Sequence, residues 1–231
     1  PRTRIRDTVE RERMIQIRWH GRGGQGAITA AKIFATAAFQ SGYTGVVMAP
    51  TFGTERRGAP VFTSLKLAKE KIYDISPIEA PDIVVVLDHL LLTEADVTSG
   101  LREGGLIVLN TPKPVESYDF GAGRLAVADV TALAVEAGLP RGVVNSGAIG
   151  ILCRAFDIVP FELVLAEIEA EFRTKRPQAN AQAARLAYDK TALSGSVAVA
   201  GADGAGTVAG SVDAGLVAVA GDPGPTTSGG A

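Results

Sequence analysis

Arg18-Trp19-His20-Gly21-Arg22-Gly23-Gly24-Gln25-Gly26-Ala27 stands between a short apolar run and an alanine-rich helical pattern. Gly21, Gly23 and Gly26 have the G-x-G-x-x-G spacing, which allows a sharp turn and a close approach of the backbone to a phosphate. A strand, a glycine turn and a helix in this order leave unpaired backbone N–H groups that can bind an anion. The alternative is a tight strand-to-helix turn without a ligand.

The chain around this turn alternates strand and helix patterns, which predicts an α/β fold. The apolar, β-branched run at 80–88 is typical of a central parallel strand. The alternating run at 60–67 predicts a strand with one wetter face, and residues 72–74 could pair with it as an antiparallel addition. Further strands are predicted at 14–19, 44–49, 104–110 and 125–128, and helices at 27–39, 90–99, 130–137, 147–156, 161–173 and 177–193.

Composition divides the 231 residues into three parts. Residues 1–13 form an arginine-rich charged arm, either solvated or docked on a neighbouring subunit. Residues 14–193 form the globular domain. Residues 194–231 are a Gly/Ala-rich tail that cannot build a core of its own, so it is expected to be flexible or to lie along a partner.

The net charge of −2 gives no reason to expect nucleic acid or an anionic membrane as a partner. The single cysteine, Cys153, excludes an internal disulfide and a cysteine-ligated cluster within this chain. It lies in an apolar helix and is expected to be a buried, inert core residue. The chain shows no apolar run of about 18 residues and no signal peptide, so we expect a cytoplasmic protein.

A second unusual segment is Phe52-Gly53-Thr54-Glu55-Arg56-Arg57-Gly58-Ala59-Pro60. The adjacent arginines Arg56 and Arg57 favour an anion clamp, because the guanidinium fork suits phosphates and carboxylates. A solvent-exposed pair neutralised by Glu55 and a subunit interface are the alternatives. The segment just before, residues 47–51, has no acidic residue that could hold a ribose, which argues against NAD.

Few other residues suggest chemistry. Asp88 follows the central strand, where α/β sheets place functional groups, but it could equally cap a helix. Asn145 or Ser146 is expected to cap the helix at 147–156. His20 and His89 are isolated in the sequence, and we predict neither a catalytic group nor a metal site in this chain.

Three segments together resemble a known family: residues 21–31, residues 52–60, and Pro81-Asp82 before an apolar strand. Residues 14–190 are similar to the gamma subunit of the 2-oxoacid:ferredoxin oxidoreductases, the pyruvate synthase group. The resemblance implies a Rossmann-like, three-layer open sheet that is mostly parallel. It also implies a complex that oxidatively decarboxylates a 2-oxo acid to an acyl-CoA, with the 2-oxo acid selected mainly by other subunits.

The resemblance places the redox cofactors elsewhere. Thiamine diphosphate with magnesium and the [4Fe–4S] clusters would belong to alpha-, beta- and delta-type partner subunits. The electrons would pass to ferredoxin or to an NAD-linked flavoprotein. This chain would contact coenzyme A (CoA), and the positions matching the CoA site are Gly21, Arg22, Gly23, Gly24, Gln25, Gly26, Arg56, Arg57 and Asn145. The alternatives are a purely structural scaffold subunit and a free-standing nucleotide-binding oxidoreductase.

Overall fold

The computed structural model describes residues 14–50 and 58–194. Residues 1–13, 51–57 and 195–231 lie outside this range, and with them the arginine-rich arm, Arg56 and Arg57, and all but the first residue of the Gly/Ala-rich tail. The described residues form a seven-stranded sheet in the order β2-β3-β1-β4-β5-β6-β7. The strands are β1 (Ile15–Arg22), β2 (Gly45–Pro50), β3 (Pro60–Ala68), β4 (Ile83–Val86), β5 (Leu106–Asn110), β6 (Arg124–Ala128) and β7 (Ala192–Ser194).

Six α-helices accompany these strands in the described part of the chain. They are α1 (Ala27–Gln40), α2 (Leu91–Glu94), α3 (Val130–Glu136), α4 (Asn145–Ala155), α5 (Phe161–Glu171) and α6 (Pro177–Lys190). One face of the sheet packs against α1 and α4, with α5 and α6 outside them. The opposite face is covered at β4, β5 and β6 by α2 and the loops that follow β4 and β5.

The parallel core forms because its strands are apolar on both sides. All residues of β4 and β5 are buried, as a strand covered on both faces requires. β1, β4, β5 and β6 are parallel neighbours, whereas β3 and β7 run antiparallel to the strands beside them. The prediction of a mostly parallel, three-layer α/β sheet with an antiparallel addition is therefore confirmed.

The sheet has a topological switch point between β1 and β4. From β1 the chain crosses through α1 to β2 on one side, while β4, β5 and β6 extend the sheet on the other side. Ligands of open α/β sheets bind at such a point, outside the carboxyl ends of the strands. The glycine turn follows β1, so it lies at this position.

Several element predictions were wrong. Residues 72–74 form no strand: they belong to an irregular segment in which the Asp74 carboxylate binds the buried Lys66 ammonium at 2.7 Å, and β3 is paired by β1 and β2 instead. The helix predicted at 90–99 is only the single turn α2. The short strand β7 was missed because its three residues follow directly on a helix pattern.

Close helix packing in the second half of the domain agrees with the small residues of the sequence. A Cβ atom added at Gly150 of α4 would collide with the backbone carbonyl oxygen of Ala184 in α6, and one added at Gly147 would collide with Val130. Cys153 lies in the same helix and is buried, as predicted. No helix among the described residues combines the length and the apolar character needed to cross a membrane.

Candidate functional site

The glycine turn begins inside β1, which continues through Gly21 and Arg22 rather than ending at Trp19 as expected. Gly24 and Gly26 have φ values of 96° and 83°, in the left-handed region that favours glycine. Gly26 occupies the N-cap position of α1. Glycine at these positions therefore lets the chain turn directly from the sheet into the helix.

The backbone beside the two arginines lies against this turn. The N–H of Gly23 donates to the Ala59 carbonyl at 2.9 Å, and the N–H of Gly58 donates to the Gly23 carbonyl at 3.1 Å. Arg56 and Arg57 are outside the described residues, but Gly58 is the next residue in the chain after Arg57. The described end of the second unusual segment, Gly58 and Ala59, thus lies beside the glycine turn.

Arg22 is engaged within the chain. Its Nε donates to Asp88 at 2.8 Å, and its Nη1 and Nη2 donate to the two Glu94 oxygens at 2.8 and 2.6 Å. These hydrogen bonds, to Glu94 first and to Asp88 second, raise the pKa of Arg22, and they hold the pKa of Glu94 below its ordinary value. Arg22 therefore connects the glycine turn to the segment after β4.

The Gln25 side chain forms hydrogen bonds across the glycine turn. Its Oε1 accepts the Arg22 backbone N–H at 2.8 Å, and its Nε2 donates to Asp88 at 3.3 Å. Asp88 does not occupy the N-cap of α2, which is Leu90, although its Oδ1 accepts the Leu90 N–H at 3.0 Å. Partial burial opposes ionisation of Asp88, but these hydrogen bonds, Arg22 foremost, lower its pKa overall.

Asn145 meets the glycine turn at Gly26. A Cβ atom added at Gly26 would lie 2.7 Å from the Asn145 Nδ2. Asn145 is the first residue of α4 rather than its N-cap, so the prediction that Asn145 or Ser146 caps this helix was wrong. Neither α1 nor α4 has a side-chain cap or an acidic residue in its first turn, and their N-termini lie side by side.

A cleft of about 320 Å³ continues from the turn along the carboxyl edge of the sheet. Its lining comes from the turn, from the segments after β4, β5 and β6, and from the residues before α4: Gln25, Leu87, Asp88, His89, Asn110, Pro112, Asp129, Thr131, Ala132, Arg141, Gly142 and Val144. Asp129 is also the N-cap of α3, because its side chain accepts the Ala132 N–H at 3.0 Å. The carboxyl-end rule for parallel strands could have placed it and Thr131 at this edge.

The other candidate groups lie outside this edge. His20 points to the sheet face opposite α1, stacks on Phe62 with ring centroids 5.7 Å apart, and has an unpartnered Nε2. Burial, and secondly the Arg18 charge, lower its pKa to about 4. Burial raises the pKa of Cys153. Across residues 14–50 and 58–194 there is no group of three or more His, Cys, Asp or Glu side chains that could hold a metal ion.

Comparison with known proteins agrees with this geometry. The family model of the pyruvate ferredoxin/flavodoxin oxidoreductases matches residues 16–190. The pyruvate/ketoisovalerate oxidoreductases common subunit gamma of Thermococcus kodakarensis is 43% identical over 185 residues, which cover 78% of this chain and 98% of the relative. The match therefore spans nearly the whole of that protein.

Solved structures show the same fold. The pyruvate oxidoreductase subunit PORC of Thermotoga maritima has a TM-score of 0.68 and 35% identity, covering 79% of this chain and 99% of that one. The 2-oxoglutarate:ferredoxin oxidoreductase of Magnetococcus marinus, solved with 2-oxoglutarate, coenzyme A and succinyl-CoA, has a TM-score of 0.61 and 20% identity, covering 77% of this chain and 30% of that one. This chain belongs to the pyruvate ferredoxin/flavodoxin oxidoreductase family, as a gamma-type subunit of a 2-oxoacid:ferredoxin oxidoreductase.

Proposed function

We propose that this chain binds and positions CoA, and docks on the thiamine subunits, in a complex that oxidatively decarboxylates a 2-oxo acid to an acyl-CoA. The observation that carries this proposal is the meeting of two uncapped helix N-termini, those of α1 and α4, at the glycine turn. The turn lies at the switch point of the sheet, where open α/β folds bind ligands.

The chemistry of CoA suits this arrangement. CoA carries a pyrophosphate and a 3′-phosphate, and the first N–H groups of each helix have no intrahelical acceptor. A helix N-terminus stabilises a negative charge by about 0.3–1 kcal/mol, and a hydrogen bond to a charged group contributes about 1.5–3 kcal/mol. Two adjacent N-termini therefore favour a diphosphate over a neutral ligand.

The charged residues of the site divide into two roles. Arg56 and Arg57 would supply the cations for the phosphates, since they adjoin Gly58, which is bonded to the turn. Arg22 already has Asp88 and Glu94 as counter-ions, so it would contribute by holding the turn in position. Gly24 and Gly26 would present their backbone N–H groups to the ligand. Gly21, Gly23 and Gln25 would shape the turn around it, since the N–H groups of Gly23 and Gln25 already donate to the Ala59 and Arg22 carbonyls. Asn145 would support the turn from α4.

The rest of the reaction would be carried out by sister subunits. Thiamine diphosphate with magnesium supplies the carbanion chemistry when bound there, and [4Fe–4S] clusters in alpha-, beta- or delta-type partners conduct electrons to ferredoxin or an NAD-linked flavoprotein. The name of the Thermococcus relative, a common subunit gamma, and the CoA in the Magnetococcus enzyme support this division. This chain would position CoA, whose thiol accepts the acyl group.

The test is the double variant Arg56→Ala/Arg57→Ala in the assembled complex. We expect the KM for CoA to rise about tenfold or more, because charge-assisted hydrogen bonds are lost, while the KM for the 2-oxo acid stays nearly unchanged. The control, Arg124→Ala/Arg154→Ala, removes the same charge at positions away from the turn. An unchanged KM for CoA would favour the hypothesis of a purely structural scaffold subunit. Dissociation of the complex would indicate that the two arginines lie in a subunit interface.

The third reading, a free-standing nucleotide-binding oxidoreductase, makes a separate prediction. It needs an acidic residue after β2 to hold a ribose, yet β2 ends with Met48-Ala49-Pro50. Calorimetry on the isolated chain should therefore detect no NAD binding. Tight binding of NAD would support the hypothesis of a free-standing oxidoreductase.

A further inference from the structure

An irregular segment, residues 70–79, lies on the face of the sheet opposite α1. Lys66 of β3 points to this face, because its neighbours Leu65 and Leu67 pack in the core with α1. The Lys66 side chain is 3% exposed, and its ammonium donates to the Asp74 carboxylate at 2.7 Å. This hydrogen bond lowers the pKa of Asp74, so the carboxylate stays ionised beside the ammonium. The middle of the 70–79 segment is therefore fixed to the sheet by a neutral ion pair.

Both ends of the 70–79 segment are also closely packed. A Cβ atom added at Gly45 of β2 would lie 1.9 Å from the Glu70 carbonyl oxygen, and one added at Gly100 would lie 2.0 Å from the Glu79 carbonyl oxygen. Near the second end, the Ile78 side chain is buried. Because the segment is held at three places, its outward side chains are already ordered before a partner binds. Such preorganisation lowers the entropic cost of association.

The outward side chains of the 70–79 segment are apolar. Tyr73 and Ile75, on either side of Asp74, are 87% and 77% exposed, more than any other large apolar side chain of the described residues. A depression of about 270 Å³ lies beside them, and its lining includes Met14 and Lys71. A single exposed apolar side chain is ordinary, but two on one fixed segment beside a depression resemble the centre of a protein interface.

The charges around the depression indicate the kind of partner. Lys69 and Lys71 flank Glu70, and all three side chains are exposed. Met14, in the lining, directly follows residues 1–13, which carry five arginines against three acidic residues. Two copies of this basic surface would repel each other, whereas an acidic surface would be attracted. The surface therefore fits a different protein with acidic groups around an apolar pocket.

The depression and the glycine turn lie at opposite ends of β1. Met14 immediately precedes this strand, and the turn follows its last residues. Eight residues of extended chain span about 26 Å. A partner at the depression therefore contacts a surface separate from the glycine turn.

We propose that the 70–79 segment is a docking site for a sister subunit of the oxidoreductase, which receives Tyr73 and Ile75 in an apolar pocket bordered by acidic side chains. The inference requires only that this chain works as a subunit, so it does not depend on CoA binding. It goes beyond the proposed function by assigning one subunit contact to a defined surface away from the glycine turn.

The first test removes the two apolar side chains. In the assembled complex, Tyr73→Ser/Ile75→Ser should raise the dissociation constant of this chain about tenfold or more, as measured by mass photometry of a dilution series. The matched control is Phe39→Ser/Val135→Ser, which removes an aromatic and an aliphatic side chain that are 61% and 50% exposed. Its dissociation constant should stay within twofold of the wild-type value.

Two further readouts complete this test. Thermal unfolding of the purified variants should match the wild type, which excludes misfolding, and the KM for CoA of the intact complex should not change. An unchanged dissociation constant for Tyr73→Ser/Ile75→Ser would overturn the assignment. Weakened assembly would support it whatever Arg56→Ala/Arg57→Ala does to the KM for CoA, so the two proposals can fail separately.

The second test concerns the charge of the partner. Lys71→Glu should raise the dissociation constant several-fold, and the increase should shrink at high salt, because an acidic partner surface would then be repelled. Lys175→Glu, at an exposed position before α6, makes the same charge change away from the 70–79 segment and should have little effect. Tighter assembly with Lys71→Glu would contradict an acidic partner.

Hydrogen exchange distinguishes a sister subunit from other occupants. Amides of residues 71–78 should exchange about tenfold more slowly in the assembled complex than in the separate chain. Equal exchange in both would overturn the inference. Protection in the separate chain that disappears on dilution would assign the surface to a second copy, and protection that disappears on deletion of residues 195–231 would assign it to the chain's own tail. Either result would also overturn the inference.

Discussion

Gly26 shows how a single residue determines the geometry of the candidate site. Its φ of 83° lies in the left-handed region, which favours glycine, and the absence of a side chain leaves room for the Asn145 amide. The two requirements are independent, because one concerns the backbone of α1 and the other the approach of α4. Substitution can therefore separate them.

We predict that Gly26→Ala destabilises the domain by about 1–3 kcal/mol more than Gly104→Ala. Gly104 also has a positive φ, 69°, but a Cβ atom there meets nothing within 4 Å, so it reports the backbone strain alone. The measurement is urea unfolding followed by circular dichroism. In an Asn145→Ala background the difference should shrink, and equal costs in both backgrounds would show that the Asn145 contact does not matter.

The sequence revealed the residues of the turn but not their partners. The spacing of Gly21, Gly23 and Gly26 was enough to predict a sharp turn, because glycine conformations are a local property. The engagement of Arg22 could not be predicted, since Asp88 and Glu94 lie 66 and 72 residues further along the chain. Only the pairing of β1 with β4 brings them together.

At the scale of elements, α4 is the helix on which both the core and the site depend. Its N-terminus meets the glycine turn, and its middle packs against α6 at Gly150. Gly147 lets α4 approach Val130 of α3 in the same way. The position of Asn145 is consequently set by close helix contacts in the interior.

We predict that Gly150→Ala costs about 1–3 kcal/mol of stability, although alanine is the better helix former. The added methyl group would meet the Ala184 carbonyl, a backbone atom that can move only with α6. Arg154→Ala, at an exposed position of the same helix, is the control: it removes a cation–π contact with Tyr188 and should cost at most about 1 kcal/mol. Thermal unfolding measures both, and a stabilised Gly150→Ala variant would contradict the packing described here.

The accuracy of the element predictions followed the strength of each periodic pattern. α1, β4 and β5 were predicted within a few residues, because their apolar patterns are long or fully buried. The start of α4 was misplaced by two residues, since Asn145 and Ser146 are typical caps but serve other contacts here: the Ser146 hydroxyl binds the Asn180 side chain at 3.0 Å. Tertiary contacts of this kind leave no local signal.

At the scale of the whole molecule, the order of the strands explains why the site residues converge. β1 and β4 are parallel neighbours whose connections leave in opposite directions, so a gap opens at their carboxyl ends. The α/β class was readable from the sequence. The order of the strands could not be predicted from the sequence, because each crossover can add its strand to either edge of the sheet.

We predict that the stability of the folded domain declines as the pH falls from about 6.5 to 4. The folded-state pKa of His20, about 4, lies below its ordinary value of 6.5, so the unfolded chain binds the proton first. The contribution of the neutral His20 side chain to the free energy of unfolding is complete above pH 6.5. By pH 4 this contribution has fallen by up to about 3 kcal/mol. Below that, the lowered pKa values of Asp88 and Glu94 extend the decline.

Urea unfolding at a series of pH values tests this expectation. The variant His20→Gln should show a much flatter dependence between pH 6.5 and 4.5, because it lacks the group that titrates there. An unchanged slope in this variant would mean that another group accounts for the acid sensitivity.

The burial of Cys153 has a practical consequence for studying the assembled enzyme. It is the single cysteine of the chain, and its buried thiol, with a raised pKa, is a poor nucleophile toward maleimide reagents. A cysteine introduced on the surface, for example at Glu136, can therefore be labelled selectively with one fluorophore or spin label in the purified chain, before it is combined with the sister subunits. Distances from such a probe to the sister subunits can be followed by spectroscopy without first removing a native thiol.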